Sequence, residues 1–69
     1  MKTIEKIVAQ MKDAAIDARH TAATLSAMSG GFSQIYQPDI ARELAIASRN
    51  VSGLGEALLE AARCIEDAQ

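Results

Sequence analysis

Two side chains in this sequence have the chemistry of a nucleophile and its base. Cys64 is the single cysteine and His20 the single histidine of the 69 residues, and nucleophilic catalysis needs such a pair in contact and oriented by a third group. In an antiparallel hairpin that turns near residue 34, His20 lies about 16 Å further along the first helix than the level of Cys64, at 1.5 Å per residue. We therefore predict no enzyme, and we interpret Cys64 as a small apolar filler beside the helix contact.

Three polar side chains have spacings that could suit a metal ion. Asp13, Asp17 and His20 follow one flank of the first helix at spacings of four and three residues, and two carboxylates with an imidazole could bind a metal, above all across a two-fold axis. Any polar helix face produces such triplets, so we interpret this one as solvated. We predict no metal site and no cofactor, and a single cysteine excludes an intrachain disulfide.

The first element that positions these side chains follows from apolar spacing. Alternate steps of three and four residues reach seven apolar residues and one threonine: Ile4, Ile7, Met11, Ala14, Ala18, Thr21, Leu25 and Met28. A period of 3.5 residues over more than three heptads predicts a helix packed lengthwise on another helix. Gly30 and Gly31 are expected to end it in a left-handed conformation, so we place helix 1 at about residues 3–29.

A second apolar stripe begins after Pro38, whose missing N–H suits a first helical turn. Its members are all apolar: Ile40, Leu44, Ala47, Val51, Leu54, Leu58, Ala61, Ile65 and Ala68. The positions that point away from it are all charged, as in an amphipathic helix: Arg42, Arg49, Glu56 and Arg63. We place helix 2 at about residues 38–67 and the turn at 30–37.

These elements predict an all-α protein, with residues 1–69 forming one antiparallel two-helix hairpin. A chain of this length buries only about 60% of the surface exposed in its unfolded form, and its core rarely supplies more than about 3–5 kcal/mol. Apolar residues make up 49% of the sequence, which is enough to supply an interface in addition to the core. We therefore predict a homodimer in which two hairpins form a four-helix bundle; an intertwined dimer or a higher oligomer would produce much the same pattern.

The residues that we assign to the core and the dimer interface are the large members of the two stripes: Ile4, Ile7, Met11, Leu25, Leu44, Val51, Leu54, Leu58 and Ile65. Beside each stripe runs a lane of small residues, one per heptad, which would let two helices approach toward the lower end of the usual ~8–10 Å spacing. The lanes are Val8, Ala15 and Ala22, and Ala41, Ser48, Gly55 and Ala62. A second smooth lane, Ile46, Gly53 and Ala57, could be either dimer interface or docking groove.

The charge and the hydropathy of the sequence restrict the classes of partner that the protein can have. The net charge is −2, and neither half of the chain has the dense positive charge that nucleic-acid binding normally requires. No apolar stretch approaches the roughly 18–20 residues of a membrane span, and the early Glu5 argues against a signal peptide. We expect a cytoplasmic protein with no membrane partner.

The leading functional hypothesis is a small dimeric module that binds another protein as an inhibitor, adaptor or regulator, with a size common among phage- and plasmid-encoded accessory proteins. Aromatic side chains are the commonest contact anchors, so the two aromatics come first among the expected protein-binding residues: Tyr36, Phe32, Arg42, Arg49, Ile16 and Ile46.

Two alternatives remain open. Arg42 and Arg49 stand seven residues apart, as do Lys12 and Arg19, and the outline resembles that of Rop-like proteins, the small dimeric helical-hairpin RNA binders of plasmid copy control. The resemblance is one of shape without a shared motif, and it implies nucleic-acid binding as an alternative function. The other alternative is a purely structural, self-assembling helical unit.

Overall fold

The computed structural model describes residues 3–68, and this part of the chain is an all-α hairpin. Helix α1 (Thr3–Gln34) and helix α2 (Pro38–Asp67) are joined by residues 35–37 and pack against each other along their length. The hairpin measures 51 × 17 × 10 Å between Cα atoms. No strand occurs among residues 3–68. The predicted all-α hairpin is confirmed; Met1, Lys2 and Gln69, which the predicted domain includes, lie outside the described residues.

The predicted end of helix 1 at residue 29 and the predicted turn at 30–37 are wrong. Helix α1 continues through Gly30 and Gly31, neither of which has a positive φ, and the left-handed residue is Tyr36, with φ 61°. The Tyr36 N–H donates to the Ser33 carbonyl at 3.2 Å, and the Gln37 N–H donates to the Phe32 carbonyl at 2.9 Å. This is the hydrogen-bond pattern of a Schellman cap, here built on a tyrosine.

Proline explains why the chain reverses after this cap. The residue before a proline is disfavoured in the α conformation, and Gln37 accordingly has φ −117° and ψ 68°. Pro38 then opens α2, followed by Asp39 in its first turn, where a negative charge favours the helix dipole. Proline therefore sets the position of the connection, and the glycine pair does not.

The core of the hairpin lies along the two lanes of small residues. Buried residues of α1 and α2 come almost entirely from these lanes: Val8, Ala15, Ala18, Ala22, Ala41, Gly55 and Ala62. An ideal Cβ built on Gly55 would lie 3.3 Å from the carbonyl oxygen of Ala15 and 3.3 Å from the Cβ of Ala18. The helices thus approach so closely at this point that even a methyl group would be crowded.

The large apolar residues assigned to the core do not form it. Ile4, Ile7 and Leu54 are 44%, 46% and 58% exposed, and the other six are half-buried: Met11, Leu25, Leu44, Val51, Leu58 and Ile65. In the single hairpin they lie beside the contact between the helices, because two helices in contact through small side chains leave no room between them for large ones. Their role in a dimer stays a prediction.

Candidate protein interface

The seam between the helices determines which residues share a face. We call the seam residues those that face the other helix at one per heptad: Val8, Ala15, Ala22 and Ser29 on α1, and Ala41, Ser48, Gly55 and Ala62 on α2. At 3.6 residues per turn, the residue three positions after a seam residue lies about 60° to one side, and the residue four positions after it lies about 40° to the other.

An ion pair shows how the two helices are turned relative to each other. Lys12 and Glu66 each follow a seam residue by four positions, and their side chains meet at 3.1 Å between Nζ and Oε1. The rows four positions after the seam therefore lie on one side of the hairpin, which we call the polar side. The rows three positions after the seam lie together on the opposite side.

That opposite side is the apolar face. It consists of the residues three positions after, or one position before, a seam residue. The seven-residue repeat extends these rows to Ile4 on α1 and to Ala68 on α2. On α1 these are Ile4, Ile7, Met11, Ala14, Ala18, Thr21, Leu25, Met28 and Phe32. On α2 they are Ile40, Leu44, Ala47, Val51, Leu54, Leu58, Ala61, Ile65 and Ala68. None of these side chains is charged, and the two stripes read from the sequence thus form one continuous surface.

The apolar face is large for a chain of this size. The side of the hairpin that carries this face is 51 Å long and 17 Å wide between Cα atoms, or roughly 870 Å² in projection, whereas the largest apolar patch on a typical monomer is about 300–600 Å². A stable protein–protein interface buries about 800 Å² per partner. The face therefore has the extent and the composition of an association surface.

Two serine hydroxyls hold the helices in register across the seam. The Ser48 hydroxyl donates to the Ala22 carbonyl at 2.7 Å, and the Ser29 hydroxyl donates to the Ala41 carbonyl at 2.6 Å. Sequence reasoning included Ser48 only as a small residue and missed the role of Ser29. The signal was present, since Ser29 continues the lane of Val8, Ala15 and Ala22 at a spacing of seven.

The expected protein-binding residues do not lie on one surface. Phe32 is half-buried on the apolar face, whereas Ile16, Arg42 and Arg49 are exposed and follow a seam residue by one position, on the polar side. Ile46 is exposed on the outer edge of α2. These residues therefore divide among different surfaces.

The connection between the helices forms an exposed tip, which we define as residues 32–37. Tyr36 is 89% exposed and Ile35 is 61% exposed. Ile35 was not among the expected binding residues, although its place within the predicted turn could have indicated exposure. The tip thus presents an aromatic and an aliphatic side chain to solvent at one end of the hairpin.

The interpretation of Cys64 as an apolar filler is wrong. The thiol is exposed, because Cys64 follows the seam residue Ala62 by two positions and so points away from α1. His20, Asp13 and Asp17 are exposed on α1. Within residues 3–68, no three His, Cys, Asp or Glu side chains come close enough together to hold a metal ion, and the described surface contains no enclosed pocket.

One further charged contact lies on the outer surface of α2. Arg63 donates to both carboxylate oxygens of Glu60, at 2.6 and 2.7 Å. The hydrogen bonds that Glu60 accepts, and then its negative charge, raise the pKa of Arg63 above its ordinary value. The pair is solvent-exposed, and exposed pairs of this kind contribute little to stability.

In the described part of the chain, neither helix combines the length and the apolar content needed to cross a bilayer. Comparisons of the chain with protein-family models, with curated proteins and with solved structures return no match.

Proposed function

We propose that this protein is a small protein-binding module that works as a homodimer, in which the apolar faces of two hairpins meet to form a four-helix bundle. The observation that carries the proposal is the apolar face itself, which has no charged side chain from Ile4 to Phe32 on α1 and from Ile40 to Ala68 on α2. An uncharged surface of this extent favours contact with another protein surface over contact with water.

The energetics of the hairpin support a second copy as the occupant of this face. Val8 is the largest buried side chain among the described residues, and the other buried residues are alanines and a glycine. Fully burying a leucine or isoleucine contributes about 1.5–3 kcal/mol, and the single hairpin obtains this at none of its large residues. A matching face would bury Ile7, Leu54 and their neighbours, so folding and association are expected to be coupled.

A matched pair of substitutions tests the dimer. Leu54 on the apolar face and Ile16 on the polar side are 58% and 51% exposed, so in a single hairpin an aspartate would cost little at either site. In the dimer, Leu54→Asp buries a carboxylate without a partner, whereas Ile16→Asp leaves it in water. We expect light scattering to give twice 7.3 kDa for the unmodified protein and Ile16→Asp, and dissociation or unfolding for Leu54→Asp. A folded monomer of the unmodified protein would contradict the proposal.

The regulatory part of the proposal concerns the tip. We propose that the dimer acts as an inhibitor, adaptor or regulator in the cytoplasm, without catalysis of its own, by presenting Tyr36 to another protein. The 89% exposure of Tyr36 supports this role, since tyrosine is enriched among contact anchors. An affinity pull-down read by mass spectrometry should recover one stoichiometric protein with the unmodified chain and lose it with Tyr36→Ala. Equal recovery with a Tyr36→Ala dimer would contradict this assignment.

A nucleic-acid-binding role is the second candidate, and the polar side gives it one supporting observation. Arg19, Arg42 and Arg49 are exposed there, in rows that all lie opposite the apolar face. Glu66, paired with Lys12, shares this side and weakens its positive field. A gel shift at low salt, where phosphate contacts are strongest, tests this role: RNA binding that is lost with Arg49→Ala would support it, and absence of binding would rule it out.

A further inference from the structure

The distribution of large and small side chains along the apolar face selects the orientation of the dimer. We propose that two copies associate with their tips at the same end of the bundle, so that each α1 lies over the α2 of the partner copy. This inference rests on the proposed homodimer and adds to it which surfaces meet.

Two symmetric orientations bring the same face of two hairpins together. With the two-fold axis along the helices, the tips lie at the same end and α1 lies over the partner's α2. With the axis across the helices, the tips lie at opposite ends and α1 lies over the partner's α1. Neighbouring helices run antiparallel in both cases, so helix direction does not distinguish the two, whereas side-chain size does.

The seam contacts give the level of each residue along the hairpin. Ser29 bonds Ala41, Ser48 bonds Ala22, and Gly55 lies against Ala15. In each of these pairs the two residue numbers add up to 70. Subtracting the number of an α2 residue from 70 therefore gives the α1 residue that lies at the same height along the hairpin.

In the middle of the apolar face, the side chains of α1 are small and those of α2 are large. Ala14, Ala18 and Thr21 leave a shallow depression on α1. At the same level α2 carries Leu54 and Val51, and Leu54 projects with 58% of its surface exposed. The hairpin thus has a projection and a depression side by side at one level.

On both sides of this middle region the sizes reverse. Ala61 of α2 lies level with residue 9 of α1, between the large side chains Ile7 and Met11. Ala47 lies level with residue 23, between Thr21 and Leu25. This reversal is limited to the levels of the two alanines; elsewhere the two helices carry side chains of similar size, with Met11 near Leu58 and Leu25 near Leu44.

The projection and the depression in the middle region fit a partner whose α2 covers α1 at the same level. Each Leu54 then enters the depression at Ala14 and Ala18 of the other copy, as a knob enters a hole. The partner's Ala61 and Ala47 lie beside Met11 and Leu25 and leave room for these two side chains. In the opposite-end orientation, Ala18 faces Ala18 at the centre of the α1 pair while Ile7 meets Met28 toward each end. The large ends would hold these two helices apart and leave a void at the centre, which protein interiors avoid.

The orientation has a consequence for the tip. With both tips at one end, Phe32, Ile35 and Tyr36 of the two copies form a single two-fold surface of aromatic and aliphatic side chains. A partner protein could contact both tyrosines at once. In the opposite-end orientation the two tips are separated by the length of the bundle.

Distances between spin labels test the orientation directly. Gln37→Cys, in a Cys64→Ser background, places a nitroxide on the exposed tip, at a residue whose side chain makes no capping hydrogen bond. Tips at the same end predict a label separation of roughly 20–30 Å, given helix diameters of about 10–12 Å. Tips at opposite ends predict about 50 Å, because the hairpin is 51 Å long.

Arg49→Cys in the same background is the matched control. Arg49 is exposed and lies near the middle of the hairpin, so the two orientations predict similar separations for this label. A tip separation near 50 Å in a protein of dimeric mass would overturn the orientation and leave the proposed dimer intact. A monomeric mass by light scattering, with no dipolar coupling at either site, would overturn the dimer itself and the orientation with it.

Discussion

Replacing Gly55 by alanine should measure how closely the two helices approach, and Gly53 provides the matched control. Both glycines lie in α2, and an alanine in place of a helical glycine gains about 0.5–1 kcal/mol of stability from the backbone alone. A Cβ on Gly53 would meet nothing within 4 Å. We therefore expect Gly53→Ala to stabilise the protein by about that amount.

At Gly55 the same methyl group meets the other helix. It would lie 3.3 Å from the Ala15 carbonyl oxygen and 3.3 Å from the Ala18 Cβ, and neither atom is the movable end of a flexible side chain. The helices would have to separate by a few tenths of an ångström, and overpacking of this kind costs about 1–3 kcal/mol. Set against the backbone gain, Gly55→Ala should destabilise the protein by about 1 kcal/mol, which places the two variants about 2 kcal/mol apart.

Thermal and urea unfolding, followed by far-ultraviolet circular dichroism, would measure this difference. All proteins must be compared at one subunit concentration, because the stability of a dimer depends on it. For a domain of this size, 1 kcal/mol corresponds to about 4–8 °C in Tm, so the melting temperatures should differ by roughly 8–16 °C. If Gly55→Ala is stabilised as much as Gly53→Ala, the helices are not in close contact at this position and the description of the seam is wrong.

Three further substitutions test other parts of the hairpin. Gly30 lies inside α1 with open space around it, so Gly30→Ala should raise the free energy of unfolding by about 0.5–1 kcal/mol in urea titrations; a loss would indicate a left-handed glycine. Tyr36 has a φ of 61°, so Tyr36→Gly should raise stability by about 1 kcal/mol in the same assay, and a lower Tm would contradict the strained cap. Lys12 and Glu66 form an exposed ion pair, so Lys12→Gln should change stability by less than about 0.5 kcal/mol in melts at low and high salt; a larger loss would mean that the pair is shielded from solvent.

The end of α1 shows where local sequence rules fail. A glycine pair is a strong signal for a helix end, yet α1 continues through Gly30 and Gly31 and ends at a left-handed tyrosine. Each helical glycine costs about 1 kcal/mol relative to alanine, an amount that packing can offset. Ser29 bonds α2 across the seam, and Phe32 is half-buried one turn later. Such contacts favour extension of the helix, and they cannot be read from a local pattern.

The sequence predicts that the candidate interface is apolar, but it does not predict where on the hairpin this surface lies. The spacing of Leu44, Val51 and Leu58 predicted one apolar side of α2, and this row does lie on the apolar face. The same spacing did not reveal that the row lies beside the seam, where its side chains are only half-buried. The expected contact residues Ile16 and Ile46 were chosen because they are apolar and off the stripe, and the structure leaves both exposed on other surfaces.

Local sequence pattern is enough to predict two amphipathic helices, a chain reversal before Pro38 and rows of uncharged residues at a 3.5-residue period. It could not determine which row closes the hairpin, because the lane through Ala15 and the stripe through Met11 share the same seven-residue period and are neighbours on the helix surface. Only the packing of α1 on α2 decided between them. Helices joined by a short connection can come into close contact where small side chains meet, as at Gly55, and this contact leaves the larger side chains beside the seam, on the apolar face.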